Sequence, residues 1–282
     1  AGTKAYVTLQ EANAIGVLDL QSNSFSQVIG LGAKNFAAPG NSIDPSHKDG
    51  KIQLRSANVV GLYQPDSIAA YEAKGKTYLV MANEGDTRED DGDKARVKDK
   101  AGLSGAPSDL GQLNVSTTDS TSGTNLVTFG GRSFSIRDDN GNLVFDSGNQ
   151  LDAEAIARGI YDDGRSDDKG VEPEGVSLMT LGGRTLAFIG LERTTKGAVA
   201  IYDITDPEQA SFLDMIVTDG DVAPEGITSY TMGGQHYLAI ANEVSGTTSV
   251  YALTAAVPEP ETYALVLAGL LAMGVAHRRR SA

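Results

Sequence analysis

The sequence predicts an all-β chain of short antiparallel strands joined by tight turns. Three observations carry this reading. First, residues 172–218 read as four strands in succession. Val176 to Thr180 is a short apolar-rich run, and Gly182-Gly183 makes a turn. Arg184 to Leu191 is β-branched and aromatic, and Ala198 to Ile204 alternates until Asp206-Pro207 stops it. Ala210 to Thr218 follows directly. Second, the unit recurs. Third, the chain has 33 glycines and only 6% aromatic residues, as a turn-rich β protein does. Helical patterning is confined to Asp152 to Ile160, enough for two turns.

The recurrence is specific. Pro65-Asp66, Pro173-Glu174 and Pro224-Glu225 each open a strand, pass a Gly-containing turn and reach a second strand closed by Glu84, Glu192 or Glu243. The two carboxylates are 18 residues apart each time (66 to 84, 174 to 192, 225 to 243). Repeats decide a fold before local propensity does, and four-stranded units at this spacing predict a β-propeller of four-stranded antiparallel blades.

In chain order, Ala5 to Glu11 reads as the second strand of a blade, Ala14 to Leu20 as the third and Phe25 to Leu31 as the fourth. The first strand of that blade has no counterpart, so the propeller is expected to be N-terminally truncated. Val59 to Glu84 opens the next blade. A long insertion is expected at about 85–170, with charge-dense loops at 86–93 and 162–168. Within it, Leu110 to Thr117, Leu126 to Phe129, Ser133 to Asp138 and Leu143 to Asp146 are candidate strands. They form either another blade or an addition to the previous one. The propeller domain is set at 1–255 and a distinct tail at 256–282.

The tail differs in kind. Pro258-Glu259-Pro260 precedes an apolar run, Ala264 to Ala276, and then Arg278-Arg279-Arg280. Thirteen helical residues (264 to 276) reach about 20 Å, short of a hydrocarbon core of roughly 30 Å. Such a short hydrophobic helix spans only by thinning the bilayer, and the arginines would hold its end in the cytoplasm.

The net charge of −14 argues against a nucleic-acid partner, which needs clustered Lys and Arg. The chain has no cysteine, which excludes thiol chemistry, thiolate metal sites and disulfides. Its three histidines, His47, His236 and His277, leave little for a Ser-His-Asp triad or a three-His zinc site.

These residues carry a family resemblance. The tail resembles a PEP-CTERM sorting signal, with Pro258, Glu259, Pro260, Arg278, Arg279 and Arg280 as its matching ends. That resemblance implies a bacterial protein, exported and recognised by an exosortase. Its tail would insert transiently in the inner membrane before removal, leaving the body at the cell surface or outside the cell. The body, Ala5 to Leu253, resembles the choice-of-anchor I domain, a β-propeller of surface proteins. The matching stretches are 63–66, 82–86, 132–136, 142–148, 165–170, 190–193 and 241–246. The family's first blades have no counterpart at the front, and the resemblance implies fold and location rather than a chemistry.

A hairpin returns its ends to one edge. The spacing therefore sets Asp66 beside Glu84, Glu174 beside Glu192 and Glu225 beside Glu243, at a cross-strand distance of about 5 Å. Carboxylates that close repel unless one is protonated or a cation intervenes. If the first strand of each blade is innermost, all three pairs face one channel mouth. Oxygen-only ligation suits Ca²⁺ or Mg²⁺. The competing reading is a rim of solvated carboxylates. The acidic loops do not fit the EF-hand pattern. Arg88 and Arg193 follow closing glutamates and are candidates for an anionic ligand, or for salt bridges.

Two function classes stay open. One is an exported surface or matrix propeller that binds polysaccharide or a surface protein, with Ca²⁺ as a structural or bridging ion. The other is a metal-dependent phosphoesterase of alkaline phosphatase or phytase type, in which carboxylate-held ions polarise phosphate and activate water.

Overall fold

A computed structural model describes residues 2–88 and 92–254. The chain divides into two units, Ala1–Ala252 and Leu253–Ala282. The expected tail helix and all six sorting-signal residues lie outside the described residues.

The first unit is a series of sheets, antiparallel except for one parallel pairing. β1 (Lys4–Leu9), β2 (Ala14–Asp19) and β3 (Ser24–Gly30) form the first, in that order. β4 (Ala33–Asn35) pairs antiparallel with β5 (Val60–Leu62). β6 (Ile68–Ala73) and β7 (Lys76–Asn83) are a hairpin. The chain then leaves that sheet through β8 (Lys94–Arg96), which pairs with β9 (Asn114–Ser116), and β10 (Val127–Thr128), which joins β5 in parallel. It returns as β11 (Ser133–Asp138), which pairs with β7, and β12 (Leu143–Asp146), which completes a four-stranded sheet ordered β12-β11-β7-β6. So two of the candidate strands inside 85–170 extend the preceding sheet. One helix, α1 (Gln150–Ala157), follows where two turns were expected.

β13 (Pro173–Leu181), β14 (Arg184–Leu191), β15 (Gly197–Asp203) and β16 (Ser211–Thr218) make a four-stranded meander. β17 (Pro224–Met232), β18 (Gln235–Asn242) and β19 (Thr247–Leu253) make the last sheet. The first and last sheets have three strands among the described residues, so four-stranded units hold for the middle two.

The hairpin turns follow from their residues. Lys74-Gly75, Gly182-Gly183 and Gly233-Gly234 all have positive φ at both positions, the geometry that matches the twist of the flanking strands. Central strands are buried on both faces, as in Tyr78 to Asn83 and Ala187 to Leu191. Outer strands are more open: β3 is mostly exposed and β16 is half exposed.

One core joins the two four-stranded sheets and α1. Phe134 on β11 meets Tyr202 on β15 with ring centroids 4.4 Å apart, and Leu151 and Ala155 of α1 pack into the same cluster. Tyr202 Oη donates to Gln150 Oε1 at 3.0 Å, so the buried phenol is satisfied by the helix. The last sheet lies close on the meander. A Cβ on Gly175 would meet Glu225 O at 2.5 Å, so only glycine lets β17 enter there.

Candidate functional site

Three residues set the entry to β6, β13 and β17. Gln64, Glu172 and Ala223 have φ of 45°, 52° and 61°, and each directly precedes a proline. Sterics push the residue before proline to extended backbone, so these left-handed residues are held against local preference. Each one's carbonyl accepts from the far end of the hairpin. Gly85 N reaches Gln64 O at 3.1 Å, Glu192 N reaches Glu172 O at 3.0 Å and Glu243 N reaches Ala223 O at 2.8 Å. These bonds bring the closing glutamates back to the Pro-carboxylate entries.

Carboxylate oxygens of Asp66, Glu84 and Glu174 lie within 4.8 Å of one another, and so do those of Glu84, Glu172 and Glu192. Four of the six expected carboxylates therefore converge, together with Glu172. Glu225 and Glu243 are exposed and belong to neither group. Their charges still act on Glu174 and Glu192 respectively.

Cations enter this cluster from the loop before β13 and from just after β14. Lys169 Nζ is 2.5 Å from Glu84 Oε1 and 2.8 Å from Glu172 Oε2. Arg165 Nη2 is 2.5 Å from Glu172 Oε1, and Arg193 Nη2 is 2.7 Å from Glu192 Oε1. Gln10 Nε2 donates to Glu84 Oε2 at 2.8 Å. Glu84, Glu172 and Glu192 are thus each matched by a basic side chain. Asp66 and Glu174 form no ion pair among the described residues. Asp66 accepts from Ser67 Oγ at 3.1 Å, while Glu174 Oε2 is buried and has no hydrogen-bond partner among the described residues.

Titration follows this imbalance. Burial pushes Glu174 up to about 9, reinforced by Glu192, Glu84, Asp66 and Glu225. Burial pushes Glu84 up to about 7, although Lys169 pulls it down. Asp66 is raised by burial, against the hydrogen bond from Ser67. Glu192 is raised by burial and by Glu172, against Arg193 and Lys169. Burial works against the charge on Lys169, but Glu172 and Glu84 outweigh it and hold the ammonium well above the usual lysine range.

Of the two arginines expected to meet an anion, Arg88 lies away from both carboxylate groups, as do the described histidines. Arg88 pairs with Asp93 Oδ2 at 2.5 Å and Asp119 Oδ2 at 2.6 Å. His47 Nδ1 sits 2.5 Å from Asp167 Oδ1, whose other oxygen meets Arg96. His236 Nδ1 is 2.8 Å from Thr231 Oγ1. Neither carboxylate group includes a histidine. All donors are oxygens, which suits a hard divalent cation.

Four participants were missed from sequence: Glu172, Lys169, Gln10 and Arg165, which comes from the same loop as Lys169. Glu172 sits in Glu-Pro-Glu, but its counterparts are Gln64 and Ala223, so it leaves no repeat signal. Lys169 lies just beyond the acidic stretch 162–168, where no repeat or spacing signal marks it. Gln10 was findable, because Leu9-Gln10 matches Leu191-Glu192 once β1 is read as a second strand.

The family model of the choice-of-anchor I domain matches residues 1–207. That of the PEP-CTERM protein-sorting motif matches residues 256–280. No curated protein matches the chain. Among solved structures, dihydro-heme d1 dehydrogenase NirN in complex with DHE is 13% identical, with 92% of this chain and 46% of that chain covered and a TM-score of 0.29. The chain therefore spans about half the length of that protein.

Proposed function

The chain belongs to the choice-of-anchor I domain family, and from that premise we propose that it is an exported surface β-propeller that acts as a binding module around a carboxylate-held divalent cation. The PEP-CTERM motif makes it an exported protein whose tail is read by exosortase-type machinery. The tail would sit in the inner membrane until it is removed, leaving the body at the cell surface or in the matrix.

One observation carries the cation. Asp66, Glu84 and Glu174 bring oxygens within 4.8 Å of one another, and Glu174 Oε2 is buried without a partner. Two carboxylates with no ion pair of their own among the described residues are costly to ionise together. A divalent ion relieves that repulsion. Calcium takes about six to eight oxygens. Three side chains leave positions open for water, or for oxygens of a polysaccharide or a surface protein. Arg88 and Arg193, which a phosphoesterase would use on its anion, are both engaged by carboxylates. Binding is accordingly the reading carried forward.

The test is thermal unfolding in millimolar CaCl₂ and in chelator. A cation bound only by the folded state adds about 2.7 kcal/mol at a hundredfold excess over Kd. The melting temperature should rise with calcium, and Glu174→Gln should remove most of that rise. An equal rise in Glu174→Gln would refute the site.

A further inference from the structure

By residue type, Glu84, Glu172 and Glu192 form a second place for a metal, since their oxygens also lie within 4.8 Å. They are not open to one. Lys169 is only 9% exposed, and its ammonium reaches Glu84 Oε1 at 2.5 Å, Glu172 Oε2 at 2.8 Å and Gly85 O at 2.9 Å. An ammonium has three donors, and all three are used. We infer that Lys169 is the resident cation of the Glu84–Glu172–Glu192 cluster, and that it confines divalent-ion binding to the Asp66–Glu174 half of the site.

This inference rests on the proposed cation site and adds what regulates it. The ammonium takes the position a metal would take between Glu84 and Glu172. It also engages Glu84, the one carboxylate common to both groups. A divalent ion at Asp66 and Glu174 therefore shares Glu84 with a fixed positive charge. That charge repels the ion and draws off part of the carboxylate's donor strength. Arg165 and Arg193 do not play this part, because each pairs with a carboxylate outside the Asp66–Glu84–Glu174 group. Lys169 is thus a positioning and specificity residue. It keeps the site weak and single.

The experiment is calorimetric titration of the full chain with CaCl₂, alongside melting temperatures in calcium and chelator. The variants are Lys169→Met, Lys169→Arg and, as an exposed control, Lys51→Met. Lys169→Met should bind calcium about tenfold more tightly than the parent, or take up a second equivalent, because ligand charge sets affinity at such sites. Lys169→Arg and Lys51→Met should bind as the parent does. A Lys169→Met protein that binds as the parent does overturns the inference and leaves the Asp66–Glu174 reading intact. A parent that does not bind, with a Lys169→Met variant that does, sustains Lys169 as the resident cation but sinks the Asp66–Glu174 reading and the confinement with it. No binding by either removes both. If Lys169→Met folds only when calcium is present, by circular dichroism, the inference holds. If it folds in neither condition, Lys169 supplies more than a cation and the inference fails.

Discussion

Gln10 Nε2 donates to Glu84 Oε2 at 2.8 Å, which ties the end of β1 to the end of β7 across 74 residues of sequence. Gln10 stands where the other hairpins close with glutamate, and its amide donates where an ionised carboxylate could not. A hydrogen bond to a charged group is worth about 1.5–3 kcal/mol. Gln10→Glu would lose it and add a like charge beside Glu84. Its melting temperature should fall more than that of Gln10→Ala, most clearly in chelator. Equal losses in the two variants would show that the charge at position 10 is of no consequence.

The core between the four-stranded sheets should be the part most sensitive to truncation. Phe134 and Tyr202 are fully buried, with rings 4.4 Å apart. Phe134→Ala should cost about 3–5 kcal/mol in urea unfolding, from lost burial and the cavity left behind. Phe25 is 58% exposed on β3, and Phe25→Ala should stay within about 0.5 kcal/mol. A Phe134→Ala cost as small as that of Phe25→Ala would mean the two sheets do not share this core.

Asp152 on α1 gives the fold a pH dependence. Its side chain is fully buried, and burial pushes its carboxyl up to about 6, against Arg132 and the Val171 amide. The folded state therefore holds a proton that the unfolded chain releases from about pH 4 upward. Stability from this group is complete below that pH and is lost as pH rises to about 6. The size of the loss is about 3 kcal/mol. Asp152→Asn mimics the protonated form. It should match the parent near pH 4 and be the more stable of the two at pH 8. Parallel stability curves for the two proteins would count against this account.

The strand plan was legible because its signals are local. Gly-Gly and Lys-Gly turns fix hairpins, and Asp206-Pro207 stops β15, so the meander β13 to β16 matches its expected strands within a few residues. The return of β11 to β7 was not decided by sequence, because nothing local says which edge a strand joins after 49 intervening residues (84 to 132). At the site, the spacing of 18 identified carboxylates on equivalent hairpins. It could not identify Lys169, which enters from a loop, nor tell a buried carboxylate from an exposed one. Glu174 is half-buried with its Oε2 closed off from solvent, whereas Glu225, at the equivalent place on the last sheet, is exposed.

That difference separates residues which the repeat makes equivalent. Glu174 and Glu225 each follow a proline, and each lies 18 residues before a closing glutamate. Only Glu174 has its oxygens near those of Asp66 and Glu84. Calcium stabilisation should therefore drop sharply in Glu174→Gln and in Asp66→Asn. It should drop little in Glu225→Gln, and not at all in Asp163→Asn on the outer loop. The set of variants matters because the chain carries a net charge of −14, and any divalent ion stabilises such a surface by screening. Screening responds alike to every lost carboxylate, and it responds to added NaCl. A bound ion responds to position. If all four variants lose the same small share of the calcium effect, and NaCl reproduces it in the parent, the carboxylates are ordinary rim charges and no ion is held between Asp66, Glu84 and Glu174.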